Sequence, residues 1–374
     1  MQLKKIVLKT LKVFSFLILI LVISGLLFMN QKSFGKLPSG ERLARIEQSP
    51  NYKNGSFKNL TSTTNISSDK SKFQIFYEFF VDKVKDLRPT KDLPSVKTNL
   101  KELDSTKNYA VWMGHSSLYF QIDQQKILVD PVLISASPIS LFNKAFKGTS
   151  VYQPSDIPDL DFLILTHDHW DHLDYETVKL LKNRVKKIIL PLGVGAHFEH
   201  WGFDKNQLIE LDWYDEVILN KDLKITVLPA RHFSGRGLTA NKSLWASYML
   251  QTKIGNLFLS GDSGYGEHFK SIKKMFPTID YAFLENGQYN KDWQDIHMLP
   301  EDLVEVIKEL EPKKLFTIHN SKFALAKHPW FEPMDNIYKA SKENNFPLLT
   351  PKIGELIELD NPNQTFNVWW KKHE

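Results

Sequence analysis

His167-Asp168-His169-Trp170-Asp171-His172 follows directly on the apolar run 161–166. Three imidazoles and the Asp171 carboxylate therefore stand at the end of a strand, where α/β folds present their functional groups. Imidazole nitrogen and carboxylate oxygen suit a borderline cation such as Zn²⁺, with Fe or Mn also accommodated. The chain has no cysteine, which excludes thiolate zinc knots, disulfides and a cysteine nucleophile. A turn can aim positions i, i+2, i+4 and i+5 at two adjacent centres but cannot supply every ligand of both. Further ligands are sought at other strand ends: His232 after 224–229, Asp262 after 257–260 and His319 after 314–318. Asp168 alternates away from these ligands and is assigned to stabilising the turn. His200, His268, His328 and His373 lack that placement and read as surface or hydrogen-bonded histidines.

Outward from the motif, short apolar or alternating runs predict strands at 109–113, 117–122, 126–130, 161–166, 187–191, 216–219, 223–229, 244–251, 256–260, 280–284 and 314–318. Helical spacing appears at 175–183 behind the N-cap candidate Asp174, at 266–275, at 300–310 behind Pro300, and at 335–343. Strand runs dominate, with helices in later positions, so a layered α/β protein with mixed sheets fits better than strict alternation. No internal repeat is visible.

The N-terminus has a different character. Lys4, Lys5, Lys9 and Lys12 precede the uncharged stretch 13–29, broken only by Ser15, Ser24 and Gly25. That is the short end of the roughly 17–25 residues of a membrane span, and no small-residue cleavage pattern follows it. The expectation is an uncleaved single-pass anchor in the cell membrane, with the lysines cytoplasmic and the rest on the far side. Four regions result: a basic N-terminus (1–12), the anchor (13–30), a linker and N-terminal extension packing on the main domain (31–105), and the main domain (106–374). Residues 31–72, rich in Gly, Ser, Thr, Asn and Lys, predict little regular structure. Within the extension, 73–86 has helix-spaced apolar residues (Phe73, Ile75, Phe76, Phe79, Phe80, Val81, Val84) that pack on the main domain or touch lipid.

With 42% hydrophobic and 24% charged residues the composition is that of a globular protein rather than a disordered chain. Residues 1–48 hold eight basic residues against Glu41 and Glu47, a sum of +6 against +5 for the whole chain. The remainder is near neutral, so the charge gives no argument for a nucleic-acid partner.

These motifs resemble the metallo-β-lactamase fold superfamily, through the H-x-H-x-D-H run, the later His232, Asp262 in Ser260-Gly261-Asp262-Ser263-Gly264, and His319. Within it the chain is most similar to the N-acylphosphatidylethanolamine-hydrolysing phospholipase D family. That likeness is carried by Trp112-Met113-Gly114-His115-Ser116-Ser117, Leu128-Val129-Asp130-Pro131-Val132, Glu210-Leu211-Asp212-Trp213, Leu244-Trp245-Ala246-Ser247, Gly261-Asp262-Ser263-Gly264-Tyr265 and Ile318-His319-Asn320-Ser321-Lys322-Phe323-Ala324-Leu325-Ala326. It runs from about residue 35 to about residue 360, and it departs at Ile318-His319-Asn320-Ser321, where the family usually reads Ile-His-Trp-Gly.

The resemblance implies a four-layer αββα sandwich with two metal ions, zinc first, at one edge. It places His167, His169 and His232 on the first ion, Asp171, His172 and His319 on the second, and Asp262 between them. The implied reaction is attack of a metal-bridging hydroxide on a phospholipid phosphodiester, giving phosphatidic acid and an N-acylethanolamine. His297 matches a family position near the substrate phosphate, where it donates to the phosphate or to the leaving alkoxide. Asp262, His297 and Asp171 are thus the candidate catalytic groups. His115 and Asp130 follow early strands and either orient metal ligands or serve as buried structural residues. Trp245, Tyr265 and Tyr289 are candidates for an acyl-chain groove. A lactonase or other ester or amide hydrolase of the same fold is the enzymatic alternative, and a metal-binding scaffold module the non-enzymatic one.

Overall fold

The computed structural model describes residues 2–81 and 83–373; the side chains of Phe76, Phe79, Phe80 and His373 lie outside the described residues. Helix α1 (Gln2–Met29) runs unbroken through the lysines and the apolar stretch. Its most apolar window has a mean hydropathy of 2.6 with 0% buried, and by length and composition the helix can cross a membrane.

The segment expected to be irregular holds more structure than its composition suggests. It forms α2 (Gly40–Ile46) and a hairpin of β1 (Tyr52–Lys53) and β2 (Ser56–Phe57). Ile46 and Phe57 are fully buried, and Arg42 Nε donates to Glu210 Oε2 at 2.6 Å. Elements this short show no period, and single apolar anchors seat them on the main domain. Helix α3 (Lys72–Val81) stops short of residue 86. On its i, i+4, i+8 face Phe73, Tyr77 and Val81 are 76%, 56% and 51% exposed.

The main domain is two seven-stranded sheets built on one plan. The first takes β3 (Tyr109–Trp112), β4 (Leu118–Ile122), β5 (Gln125–Val129), β6 (Leu160–Ile164), β7 (Val185–Pro191) and β8 (Leu208–Leu211) in sequence order. The second takes β9 (Glu216–Asn220), β10 (Leu223–Leu228), β11 (Ser247–Thr252), β12 (Gly255–Leu259), β13 (Tyr281–Glu285), β14 (Lys314–Ile318) and β15 (Leu348–Leu349). The last strand, β16 (Leu356–Glu358), returns to pair antiparallel with β3. Each sheet begins as an antiparallel meander and becomes parallel at β5–β6 and β12–β13. Parallel neighbours need crossovers, and all but the β5–β6 connection, which holds only a 3-10 turn at Pro154–Asp156, run through helices. They are α4 (Tyr175–Leu181), α5 (Gly195–His200), α6 (His268–Met275), α7 (Pro300–Leu310) and α8 (Glu332–Asn344).

Three buried clusters define the layers. One fills the space between the sheets, from Trp112 and Phe120 to Phe283 and Phe316. The others lie beneath α4 and α5 on the first sheet and beneath α6, α7 and α8 on the second, which makes the αββα sandwich. In α7 Pro300 opens the helix and Leu303, Val306, Ile307 and Leu310 form the buried stripe, each contributing on the order of 2 kcal/mol. The sequence reading missed β8, β15, β16 and α5 of the main domain: β8 is a half-buried edge, β15 and β16 have two and three residues, and α5 has too few residues to display a period.

Candidate metal centre

The chemistry-bearing residues meet where strands of both sheets end. Past β6, the N–H groups of His172 and Leu173 both donate to His169 O, at 3.1 and 2.8 Å, so the motif closes into one helical turn. Asp174 then caps α4, accepting from Glu176 N. His232, Asp262 and His319 arrive after β10, β12 and β14, while the His115 turn after β3 docks on the last of these. Its N–H donates to Asn320 O at 3.2 Å and its carbonyl accepts His319 N–H at 3.0 Å. His115, Asp130 and His319 have φ of 53°, 42° and 67°. Left-handed backbone at three non-glycine residues costs roughly 1–3 kcal/mol each and is characteristic of sites that hold a geometry for function.

The donor atoms fall into overlapping groups, each within 4.8 Å: His167, His169 and His232; His115, Asp171, His172 and His319; His167, His172 and Asp262; His232, Asp262 and His297. Asp262 is central. Its Oδ2 lies 3.1 Å from His172 Nε2, 3.8 Å from His232 Nε2 and 3.9 Å from His167 Nε2, and its Oδ1 lies 3.1 Å from His319 Nδ1. Yet His172 Nε2 and Asp262 Oδ1 are buried with no hydrogen-bond partner. Buried polar atoms drawn together without bonding one another are what a cation-binding donor set leaves exposed to the ion. The residues present therefore fit two metal ions.

Behind these donors, a further set fixes their rings. Asp130 Oδ2 is 2.8 Å from His172 Nδ1 and accepts from Thr166 Oγ1 at 2.6 Å. His115 Nε2 lies 3.0 Å from Asp171 Oδ2, and His232 Nδ1 lies 2.9 Å from Ile296 O. Such outer contacts set tautomer and orientation. Asp168 points away from the donors, accepting from Gly235 N and Ser243 Oγ at 2.6 Å each.

Electrostatics follow from burial. Burial, with neighbouring imidazoles adding to it, drives His167, His232 and His319 well below the usual imidazole range, and burial takes His169 down to about 4 against the pull of Asp171. Burial also opposes the charged form of His172, but Asp262, Asp171 and Asp130 outweigh it and hold that ring well above its ordinary value. Burial raises Asp262 to about 6 despite His172. The site is thus rich in neutral imidazole lone pairs, the protonation state that metal binding requires.

Glu285, the last residue of β13, was not singled out from the sequence. It is fully buried; Ser263 N–H donates to its Oε2 at 2.5 Å, and its Oε1 lies 2.6 Å from His297 Nδ1. Burial holds its carboxyl well above the usual range. Since Nδ1 of His297 is engaged, Nε2 is the nitrogen left for a ligand. The signal was available, because Glu285 ends an apolar strand just as the donor residues follow theirs.

His169, Asp171, Asp262, His297 and His319 open onto a cavity of about 300 Å³ whose apolar wall is Phe233, Trp293, Ile296 and Leu325. The sequence expectation for the groove aromatics is corrected here. Trp245 is buried between the sheets with Nε1 donating to Ala230 O, Tyr265 donates to Glu309, and Tyr289 donates to Glu332; none lines this cavity. Each aromatic that belongs to the core or to a helix surface satisfies its polar tip there.

Lys322, beneath the His115 turn, gives a stability prediction. Its Nζ donates to Met113 O and Val132 O at 3.0 and 2.9 Å, and burial lowers the ammonium from 10.5 to about 8. The folded state releases this proton first, so between those two pH values the unfolded state binds more protons and folding gains stability as pH rises, by about 3 kcal/mol. Denaturant titrations at pH 7.5 and 10.5 are expected to show wild type gaining by that order relative to Lys322→Met. A constant difference would assign the group an ordinary pKa.

Residues 125–320 match the family model described as the beta-lactamase superfamily domain. The chain is 32% identical over 330 residues to an uncharacterized protein of Mycobacterium tuberculosis, covering 87% of this chain and 88% of that one. It is 30% identical over 274 residues to N-acyl-phosphatidylethanolamine-hydrolyzing phospholipase D 1 of Caenorhabditis elegans, covering 67% of this chain and 75% of the relative. Among solved structures it is similar in fold to Igni18, a metallo hydrolase from the archaeon Ignicoccus hospitalis, with a TM-score of 0.51 at 18% identity over 67% of this chain and 97% of that one.

Proposed function

Because the chain belongs to the metallo-β-lactamase-fold superfamily of metal-dependent hydrolases, we propose that it is a membrane-anchored phospholipase D-type phosphodiesterase, cleaving N-acylphosphatidylethanolamine to phosphatidic acid and an N-acylethanolamine. The observation that carries a two-ion hydrolase is the single Asp262 carboxylate lying 3.1–3.9 Å from imidazoles of both donor sets. The phosphodiester substrate is supported by the likeness to the worm enzyme across three quarters of its length.

His167, His169 and His232 would hold one ion and Asp171, His172 and His319 the other, with Asp262 shared. Bound there, divalent ions would supply Lewis-acid polarisation of the phosphoryl oxygens and a water of lowered pKa; a nitrogen-rich, thiolate-free set suits zinc, with iron or manganese as alternatives. The remaining work belongs to the chain. His115 and Asp130 hold Asp171 and His172 in place, so the donors do not reorganise when charge develops. His297, braced by Glu285, offers Nε2 to a phosphoryl oxygen or to the departing alkoxide. Phe233, Trp293, Ile296 and Leu325 exclude water from one side and receive the apolar part of the substrate.

The anchor fits a lipid substrate because tethering raises the effective concentration at the bilayer. The lysines in the first turns of α1 would remain cytoplasmic, placing the main domain on the far side. The exposed Phe73, Tyr77 and Val81 belong to a helix tied to the Trp293 wall by Lys70 Nζ, which donates to Glu78 Oε2 of the helix at 2.7 Å and to Asp292 Oδ2 at 3.2 Å, and would meet the same bilayer.

The test is release of phosphatidic acid from N-acylphosphatidylethanolamine in mixed micelles by the zinc-loaded full chain. No release, together with hydrolysis of lactones or carboxylic esters, would select the acyl-hydrolase alternative. Tight metal with no turnover in any class would select the scaffold. Stripping the metals with dipicolinate is expected to lower turnover by at least about a hundredfold, with recovery on adding zinc. Undiminished turnover at full metal depletion would sink the metal-dependent reading.

A further inference from the structure

The turn that carries His169, Asp171 and His172 has a second side, turned away from the cavity, and Arg236 lies against it. This guanidinium is 4% exposed. Its Nη1 donates to Asp168 O at 2.8 Å and to Leu173 O at 2.7 Å, the two carbonyls that bracket the turn. Its Nε and Nη2 donate to Ser33 O at 3.1 and 2.9 Å. The guanidinium carbon sits 3.9 Å from the Trp170 ring centroid and 5.6 Å from that of Trp201. Every hydrogen bond recorded for Arg236 thus ends on a backbone carbonyl and none on a carboxylate. Burying a charge without a directly paired countercharge is expensive, so packing alone gives no reason for an arginine here. A planar fork of five donors can hold three carbonyls in fixed relation, which a lysine's point charge cannot.

The third of those carbonyls belongs to the segment just after α1, and that segment is fastened at three more points. Trp201 Nε1 donates to Lys32 O at 2.6 Å, and Lys36 N–H donates to His197 Nδ1 at 3.0 Å. His197 Nε2 in turn lies 3.1 Å from Asp168 Oδ2. The Phe34 ring packs edge-on against Trp170 with centroids 5.0 Å apart. Gly35 has φ of 73°, and a Cβ there would lie 2.0 Å from His197 Nδ1, so only glycine permits this approach.

We propose that Arg236 is a positioning residue of the metal centre and that residues 32–36 are its brace, so that the segment leaving the apolar helix helps hold the turn that presents ligands to both ions. The inference rests on the site holding metal and is independent of the substrate. Contacts of this outer kind typically change metal affinity by roughly 10–100-fold when removed.

The test uses the full chain in detergent, loaded with cobalt(II), as Arg236→Lys and Gly35→Ala. Arg184→Lys is the control, because Arg184 Nη1 also holds a backbone carbonyl, Pro154 O at 3.0 Å, away from the site. Cobalt release to excess chelator is expected to be at least about tenfold faster in both variants, with shifted ligand-field bands, and unchanged in the control. Should Arg236→Lys fail to fold, Gly35→Ala decides, since it leaves Arg236 in place and acts through the brace and the His197 ring it touches. Unchanged release and spectra in Gly35→Ala would overturn the brace. Variants that only lower the melting temperature of the metal-free protein would reduce Arg236 to a structural role. A wild-type chain that takes up no cobalt would instead remove the metal reading on which the inference rests, an outcome distinct from both.

Discussion

Asp262→Asn is expected to lower kcat/KM on the order of a thousandfold or more while the chain still folds. Asparagine keeps the shape of the side chain but removes its charge and replaces one oxygen with a donor NH₂. Both Asp262 oxygens are committed: Oδ2 faces His172, His232 and His167, and Oδ1 faces His319. An amide cannot offer two anionic lone pairs to two ions, and its N–H would point at imidazole nitrogens that also need to be acceptors. Stability should move the other way. Burial holds the Asp262 carboxyl at about 6, above its ordinary 3.8, so ionising it in the folded protein is disfavoured and stability falls as pH rises through that window. At neutral pH the metal-free variant should melt no lower than metal-free wild type, measured in the presence of chelator. Activity lost with stability kept identifies a group retained for function against its own cost to the fold. A variant that both unfolds and loses activity would make Asp262 a structural residue.

What the sequence disclosed and what it hid divide along one physical line. Residues whose role depends on standing beyond a strand end were legible, because apolar runs mark strands and the next polar residue is then exposed at a sheet edge. His167, His169, Asp171, His172, His232, Asp262 and His319 were singled out this way, and the fold brings all of them to one place. The mixed sheets followed from the same runs. Arg236 was hidden because its role exists only in tertiary contact, whereas Glu285 carried the strand-end signal and only its partner was hidden. Glu285 is defined by its approach to His297, and Arg236 by carbonyls 63, 68 and 203 positions away. The aromatics misled for the reverse reason, since Trp245 in the core and a tryptophan on a groove wall have the same local pattern. The lead through 31–72 looked irregular because Ile46 and Phe57 anchor it singly, and one buried residue per element generates no period.

His297→Ala is expected to reduce kcat by roughly 10²–10⁴, with KM changed far less, the range typical for removing a positioned proton donor. The geometry supports this over a binding role. Glu285 Oε1 lies 2.6 Å from Nδ1, and Ser263 N–H fixes the other carboxyl oxygen, so the ring is held from behind with Nε2 free. Burial pushes the Glu285 carboxyl up and the His297 ring down, and with Nδ1 engaged by Glu285 the ring has Nε2 to offer. A donor in that place can protonate the leaving alkoxide or stabilise a phosphoryl oxygen, and leaving-group chemistry separates the two. If His297 protonates the leaving group, the loss in His297→Ala should shrink sharply with bis(p-nitrophenyl) phosphate, whose phenolate leaves without a proton. An equal loss on both substrates would place the donor on the phosphoryl oxygen, where charge develops whatever leaves. Glu285→Gln should fall between wild type and His297→Ala on the lipid and move the alkaline limb of the pH profile, because an amide keeps the volume but cannot exchange a proton with Nδ1. No effect in either variant would mean that the metal-site residues alone carry the reaction and that the buried Glu285–His297 pair serves the fold.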